Sequence, residues 1–165
     1  MKKTLTLFLT ILLTLVSVTG LFAQNSFSVK YIAQSGFGAP PPELIKVEAD
    51  YDRHKHIISP PNSSTQTTPV LESKYVVNGT TVTYLTAPTP SPNTAQTFEL
   101  FHLKVMWTAY QNGFPISRTY TFNVGQIIGA NSGNEIDVPI PQARIRLKAI
   151  HSGTHVLYQI ILQNL

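Results

Sequence analysis

The sequence predicts an all-β fold: an antiparallel β-sandwich of about eight strands built from hairpins, with an open β-barrel as the alternative. Three observations carry that expectation. From residue 24 onward, apolar and polar residues alternate with a period of two, and no segment has a convincing period of 3.6. Turn dipeptides recur between the alternating runs, at Asn78-Gly79, Asn112-Gly113 and Ser152-Gly153. Taken as a two-residue turn, each produces a register that collects apolar residues on one side.

The first 23 residues are of another kind. Lys2 and Lys3 precede a long apolar stretch that ends in small residues near Ala23, the pattern of a secretory signal. The stretch resembles a bacterial export signal. Cleavage after Ala23 is the first expectation, cleavage after Gly20 the second, and retention as a membrane anchor the third. The third stays open because the stretch approaches the length of a short spanning helix. Residues 24–165 are then expected to form one β-sandwich domain, secreted or held in the periplasm and cell envelope. Removing 23 of the 165 residues leaves 142, enough for one core. The formal charge falls from +4 to +2 as Lys2 and Lys3 leave, which gives no argument for nucleic acid as a partner. The chain has no cysteine, so disulfides, thiol catalysis and Cys-ligated zinc are excluded.

Each element follows from its local pattern. Phe27, Val29, Tyr31 and Ala33 alternate with Ser28, Lys30 and Ile32 in a first strand. Gly36 and the three prolines at 40–42 break it. Leu44–Tyr51 is a second strand with Ile45, Val47, Ala49 and Tyr51 on one side. Residues 52–56 are polar, and 59–69, rich in Pro, Ser, Thr and Asn, read as a long surface loop. Val70–Val77 and Thr80–Thr86 form a hairpin about Asn78-Gly79 in which Leu71, Ser73, Tyr75 and Val77 share the core side. Alternating prolines at 88–92 make a spacer that crosses between sheets.

The central hairpin spans Thr97–Val124. With Asn112-Gly113 as a type I′ turn, Gln111 meets Phe114, Trp107 meets Arg118, Val105 meets Tyr120, Leu103 meets Phe122 and Phe101 meets Val124. Trp107 over Arg118 suggests a cation–π pair, but a core Trp is the plainer reading and the one adopted. Residues 125–134 are a Gly/Asn-rich loop. Pro139 and Pro141 remove donors along one side of the next strand, which makes it an edge strand. The last hairpin, turning at Ser152-Gly153, pairs His151 with Thr154, Ala149 with Val156 and Leu147 with Tyr158.

Candidate chemistry is sparse. If the second strand continued through the polar run, Asp50, Asp52, His54 and His56 would share a face. His54 and His56, two residues apart, could then chelate one zinc or copper ion. Positions i and i+4 of a strand are about 13 Å apart, so the four side chains cannot meet at one ion. A third ligand would have to come from His102, His151 or His155, since zinc sites use at least three protein ligands. The plainer reading is a solvated strand end. His151 and His155 lie on opposite faces across their turn, and His102 falls on the outer side of the central hairpin. Arg144, Arg146 and Lys148 form a row of cations on one strand face, with no carboxylate assigned opposite. That row suits an anionic partner. The alternative is an ordinary solvent face whose long stems lie over Leu157 and Ile161. Ile150, Leu157 and Ile161 on the same side also suit self-association. No nucleophile elbow, phosphate loop or telling pair of carboxylates is present.

The resulting expectation is an exported, non-enzymatic binding or adhesion-type module at the cell envelope or outside, with no cofactor. Its partner would be a protein, glycan or lipid surface, met at Arg144, Arg146 and Lys148. A His-ligated metal-binding protein or metal-dependent enzyme centred on His54 and His56 is the alternative. A structural subunit that self-assembles through the last hairpin is the third.

Overall fold

Nine strands and no α-helix are found among the residues described by the computed structural model, which are 24–36, 40–59, 61–124, 135–141 and 143–164. The expected leader at 1–23 and the Gly/Asn-rich loop at 125–134 lie outside them. The strands are β1 (Ser26–Gln34), β2 (Leu44–Ser59), β3 (Asn62–Val77), β4 (Thr81–Leu85), β5 (Thr94–Gln111), β6 (Phe114–Asn123), β7 (Glu135–Ile140), β8 (Ala143–Ser152) and β9 (His155–Asn164). They form two sheets, ordered β4-β1-β9-β8-β7 and β3-β2-β5-β6, packed face to face as a sandwich. All strand pairs are antiparallel except β1 with β9, which run parallel from Ser26↔His155 to Gln34↔Gln163.

The core lies between the sheets, where the alternating residues of each strand meet. Val29, Tyr31, Leu147 and Ile160 of one sheet and Val47, Leu103 and Val105 of the other are fully buried. Phe27 sits at an aromatic cluster, its ring 5.0 Å from Tyr51, 5.7 Å from Tyr84, 4.8 Å from Phe98 and 6.1 Å from Tyr158. Trp107 is buried opposite Arg118 as a core residue. The cation–π contact falls elsewhere: the Lys74 ammonium stands 5.0 Å from the Tyr84 ring.

The central hairpin keeps the expected register from Gln111↔Phe114 to Leu103↔Phe122. Both turn residues have positive φ, 52° at Asn112 and 81° at Gly113, as a type I′ turn requires. Asn78-Gly79 behaves differently. Only Gly79 has positive φ, and the Thr80 amide donates to the Val77 carbonyl at 3.0 Å, the pattern of a type II turn. That geometry splays the strands instead of pairing them. So β3 stays in one sheet beside β2, and β4 crosses to pair with β1 in the other. The expected hairpin is absent, and the faces of β3 are reversed. Val70 and Val76 point inward, while Leu71 and Tyr75 are 68% and 65% exposed.

Two further differences have local causes. Residues 62–69 are strand, not loop: β2 continues through His54 and His56 and pairs with β3 to the tip at Ser59↔Asn62. Serine and threonine suit an exposed strand, and Pro69 is tolerated because β3 is an edge. On the other side of β2, the register with β5 shifts at Asp50/Tyr51, where Asp50 pairs with His102 and Tyr51 with Leu100. Phe101 is the extra residue of this β-bulge, so Leu100 is buried in its place. The last turn is Gly153-Thr154, with φ 57° at Gly153, and pairs Ser152 with His155. This moves the expected register by two residues, which leaves every side chain on its expected face.

Candidate functional site

The outer face of the five-stranded sheet carries the expected cationic row. Arg144, Arg146 and Lys148 alternate outward on β8, while Ile145, Leu147 and Ala149 turn into the core. The parallel pairing of β1 with β9 adds a residue from the other end of the chain. Lys30 pairs with Gln159, and Gln159 pairs with Lys148, so two lysines flank one glutamine across three strands. In the next rows Ile32, Ile161 and Arg146 are neighbours, and so are Leu157 and Ile150. The face therefore interleaves long cations with four half-buried aliphatic side chains. Sequence reasoning placed Lys30 on the polar side of its strand but had no signal for the strand beside it.

Carboxylates do stand opposite part of the row, which corrects the expectation that none would. β7 pairs with β8 and sets Asp137 opposite Arg146 and Glu135 opposite Lys148, but each carboxylate leans one row along to an arginine. Arg144 Nε is 3.1 Å from Asp137, and Arg146 Nη1 donates to Glu135 at 3.3 Å. Arg146 also donates to the Gln34 side chain on β1. Lys30 and Lys148 have no ion-pair partner among the described residues. Four cations against two carboxylates leave this face with a formal excess of two positive charges.

His54 and His56 lie on the opposite side of the molecule, on the outer face of the four-stranded sheet. Because β2 continues through them, their rings share a face with centroids 6.5 Å apart. Threonines from both neighbouring strands hold them. His54 Nδ1 is 2.9 Å from Thr67 Oγ1, His56 Nδ1 is 3.0 Å from Thr65 Oγ1, and His56 Nε2 is 2.9 Å from Thr97 Oγ1. Neither the His102, His151 nor His155 ring joins them. His102 Nδ1 is 3.2 Å from Asp50, His151 contacts the Gln24 side chain, and His155 Nδ1 is 3.0 Å from Ser26 Oγ. Among the described residues no three His, Asp or Glu side chains converge as metal ligands would.

The same outer face has a shallow depression lined by Glu48, Asp50, Leu71, His102, Lys104 and Thr121. Its polar groups are bonded to one another: Asp50 lies 3.2 Å from His102 Nδ1, and Glu48 is 3.6 Å from Lys104 and accepts from the Ser73 hydroxyl at 3.2 Å. Leu71 lines it, and Tyr75 stands exposed on the same face, because of the reversed faces of β3, so the register assumed at Asn78-Gly79 hid them from sequence reasoning. No family model matches the chain, and no curated protein matches it.

Proposed function

We propose that the protein is an exported, non-enzymatic β-sandwich binding module that meets an anionic partner surface at the cell envelope or outside. The contact surface is the outer face of the five-stranded sheet. The observation that carries this reading is the pair Lys30 and Lys148, two lysines with no ion-pair partner among the described residues, set side by side across Gln159. Glu135, the cross-strand neighbour of Lys148, is engaged by Arg146, and Asp137 by Arg144, so the two lysines carry the charge on this face that no ion pair among the described residues matches. Ile32, Ile150, Leu157 and Ile161 between the cations supply apolar contact area to the same partner. The reading is tested by binding to heparin and to anionic vesicles. Both should weaken as salt rises, and weaken further when Lys30, Arg144, Arg146 and Lys148 are neutralised together. Binding that ignores salt and these substitutions contradicts it.

A further inference from the structure

Each of the four edge strands carries a feature that opposes pairing with another sheet. β3 contains Pro69 and turns Glu72 and Lys74 inward, β6 contains Pro115, β7 contains Pro139, and β4 has only five residues. Contact between copies of this chain through their edges is thereby disfavoured, and the two outer faces remain.

Those faces are complementary. The five-stranded sheet presents two excess positive charges, as counted above. The four-stranded sheet presents Glu48, Asp50, Asp52 and Glu99 against Lys46 and Lys104, an excess of two negative charges. Asp52 and Glu99 are cross-strand neighbours and take part in no ion pair among the described residues. Apolar groups accompany both charge sets. Leu44, Leu71, Tyr75 and Val77 stand exposed on the acidic side, and four half-buried aliphatics on the basic side. Leu44, Val77 and Tyr75 adjoin one another there, with Leu71 beyond Ser73, and exposed apolar groups gathered in this way mark a contact surface.

We infer that the anionic partner of the basic face is a second copy of this chain, which presents the outer face of its four-stranded sheet. The inference rests on the binding-face reading above and names its occupant. Two different surfaces meet, so the contact is heterologous and repeats front to back as an open stack.

Sedimentation of purified protein at low and high ionic strength tests this with two charge-reversed variants, Lys30→Glu/Lys148→Glu and Asp52→Lys/Glu99→Lys. The wild type should show a mass that grows with concentration at low salt and returns to monomer at high salt. Each variant alone should remain monomeric, and an equal mixture of the two should associate again. Recovery in the mixture also shows that both variants are folded. A mixture that stays monomeric, or variants that associate like the wild type, would overturn the stack. A wild type that is monomeric throughout yet binds heparin overturns the stack and leaves the binding face standing. A monomeric wild type that does not bind heparin overturns both.

Discussion

The Tyr84 hydroxyl donates a 2.6 Å hydrogen bond to the Val47 backbone carbonyl, tying the edge strand of one sheet to an inner strand of the other. Tyr84 is also the ring under the Lys74 ammonium, and Lys74 in turn donates to the Thr83 carbonyl at 2.6 Å and pairs with Glu72 at 2.9 Å. One side of the sandwich is thus closed by polar groups whose partners are all supplied. Tyr84→Phe keeps the ring and removes the bond. It should cost about 1–2 kcal/mol, read from chemical denaturation. An unchanged midpoint would mean that the bond contributes nothing to closure.

Tyr158 is the contrasting case. Its hydroxyl is buried with no hydrogen-bond partner among the described residues, and burial pushes it well above its ordinary pKa. Tyr31 is raised by burial and then by Glu43. Both hydroxyls hold their protons in the fold at a pH where they would ionise in the unfolded chain. Stability is therefore fully present below about pH 10 and is lost as pH rises beyond it, by up to about 1.4 kcal/mol per pH unit for each tyrosine. Tyr158→Phe should leave neutral-pH stability equal or about 1 kcal/mol higher, because an unsatisfied polar group is removed. The variant should also lose stability less steeply in alkali. Parallel alkaline curves for variant and wild type would contradict this.

Gly36 marks a close approach of two chain segments. A Cβ added there would overlap the Asn164 carbonyl oxygen at the end of β9. Backbone cannot yield as a flexible side chain does, so Gly36→Ala should destabilise by about 1–3 kcal/mol. The measurement is a urea midpoint, and an unaltered value would mean that the segment does not pack against β9.

How far the fold could be read depended on whether local rules decided the matter. At Asn112-Gly113 the turn type and the apolar alternation agree, and the register follows. At Asn78-Gly79 the same dipeptide adopts a different turn. The two registers were both plausible locally, since Leu71, Tyr75 and Val77 look as apolar as Val70 and Val76. Burial of Val76 and exposure of Tyr75 were settled by the crossover of β4 to β1, a contact between distant parts of the chain. The bulge at Phe101 needs a register error against β2, which β5 alone does not encode. The candidate face shows the same division. Arg144, Arg146 and Lys148 are visible as a row on one strand. Lys30 beside them, and Asp137 and Glu135 against them, depend on which strands are neighbours.

The histidine pair makes a separate prediction. Two imidazoles share a face, and both nitrogens of His56 already meet threonine hydroxyls. With no third ligand converging among the described residues, zinc or copper should leave the melting temperature unchanged. A rise that His54→Ala abolishes would instead assign a metal centre to this strand.

The proposed binding rests on charge left unmatched on the basic face and not on the number of cations there. A heparin column separates the two, comparing Lys30→Gln/Lys148→Gln with an arginine variant that also neutralises the partner carboxylates, Arg144→Gln/Arg146→Gln/Glu135→Gln/Asp137→Asn, because both lose two cations. The lysine variant should elute at clearly lower salt than the arginine variant, which loses both ion pairs whole and keeps both lysines unmatched. Wild-type elution from the lysine variant, with binding lost in the arginine variant, would contradict it.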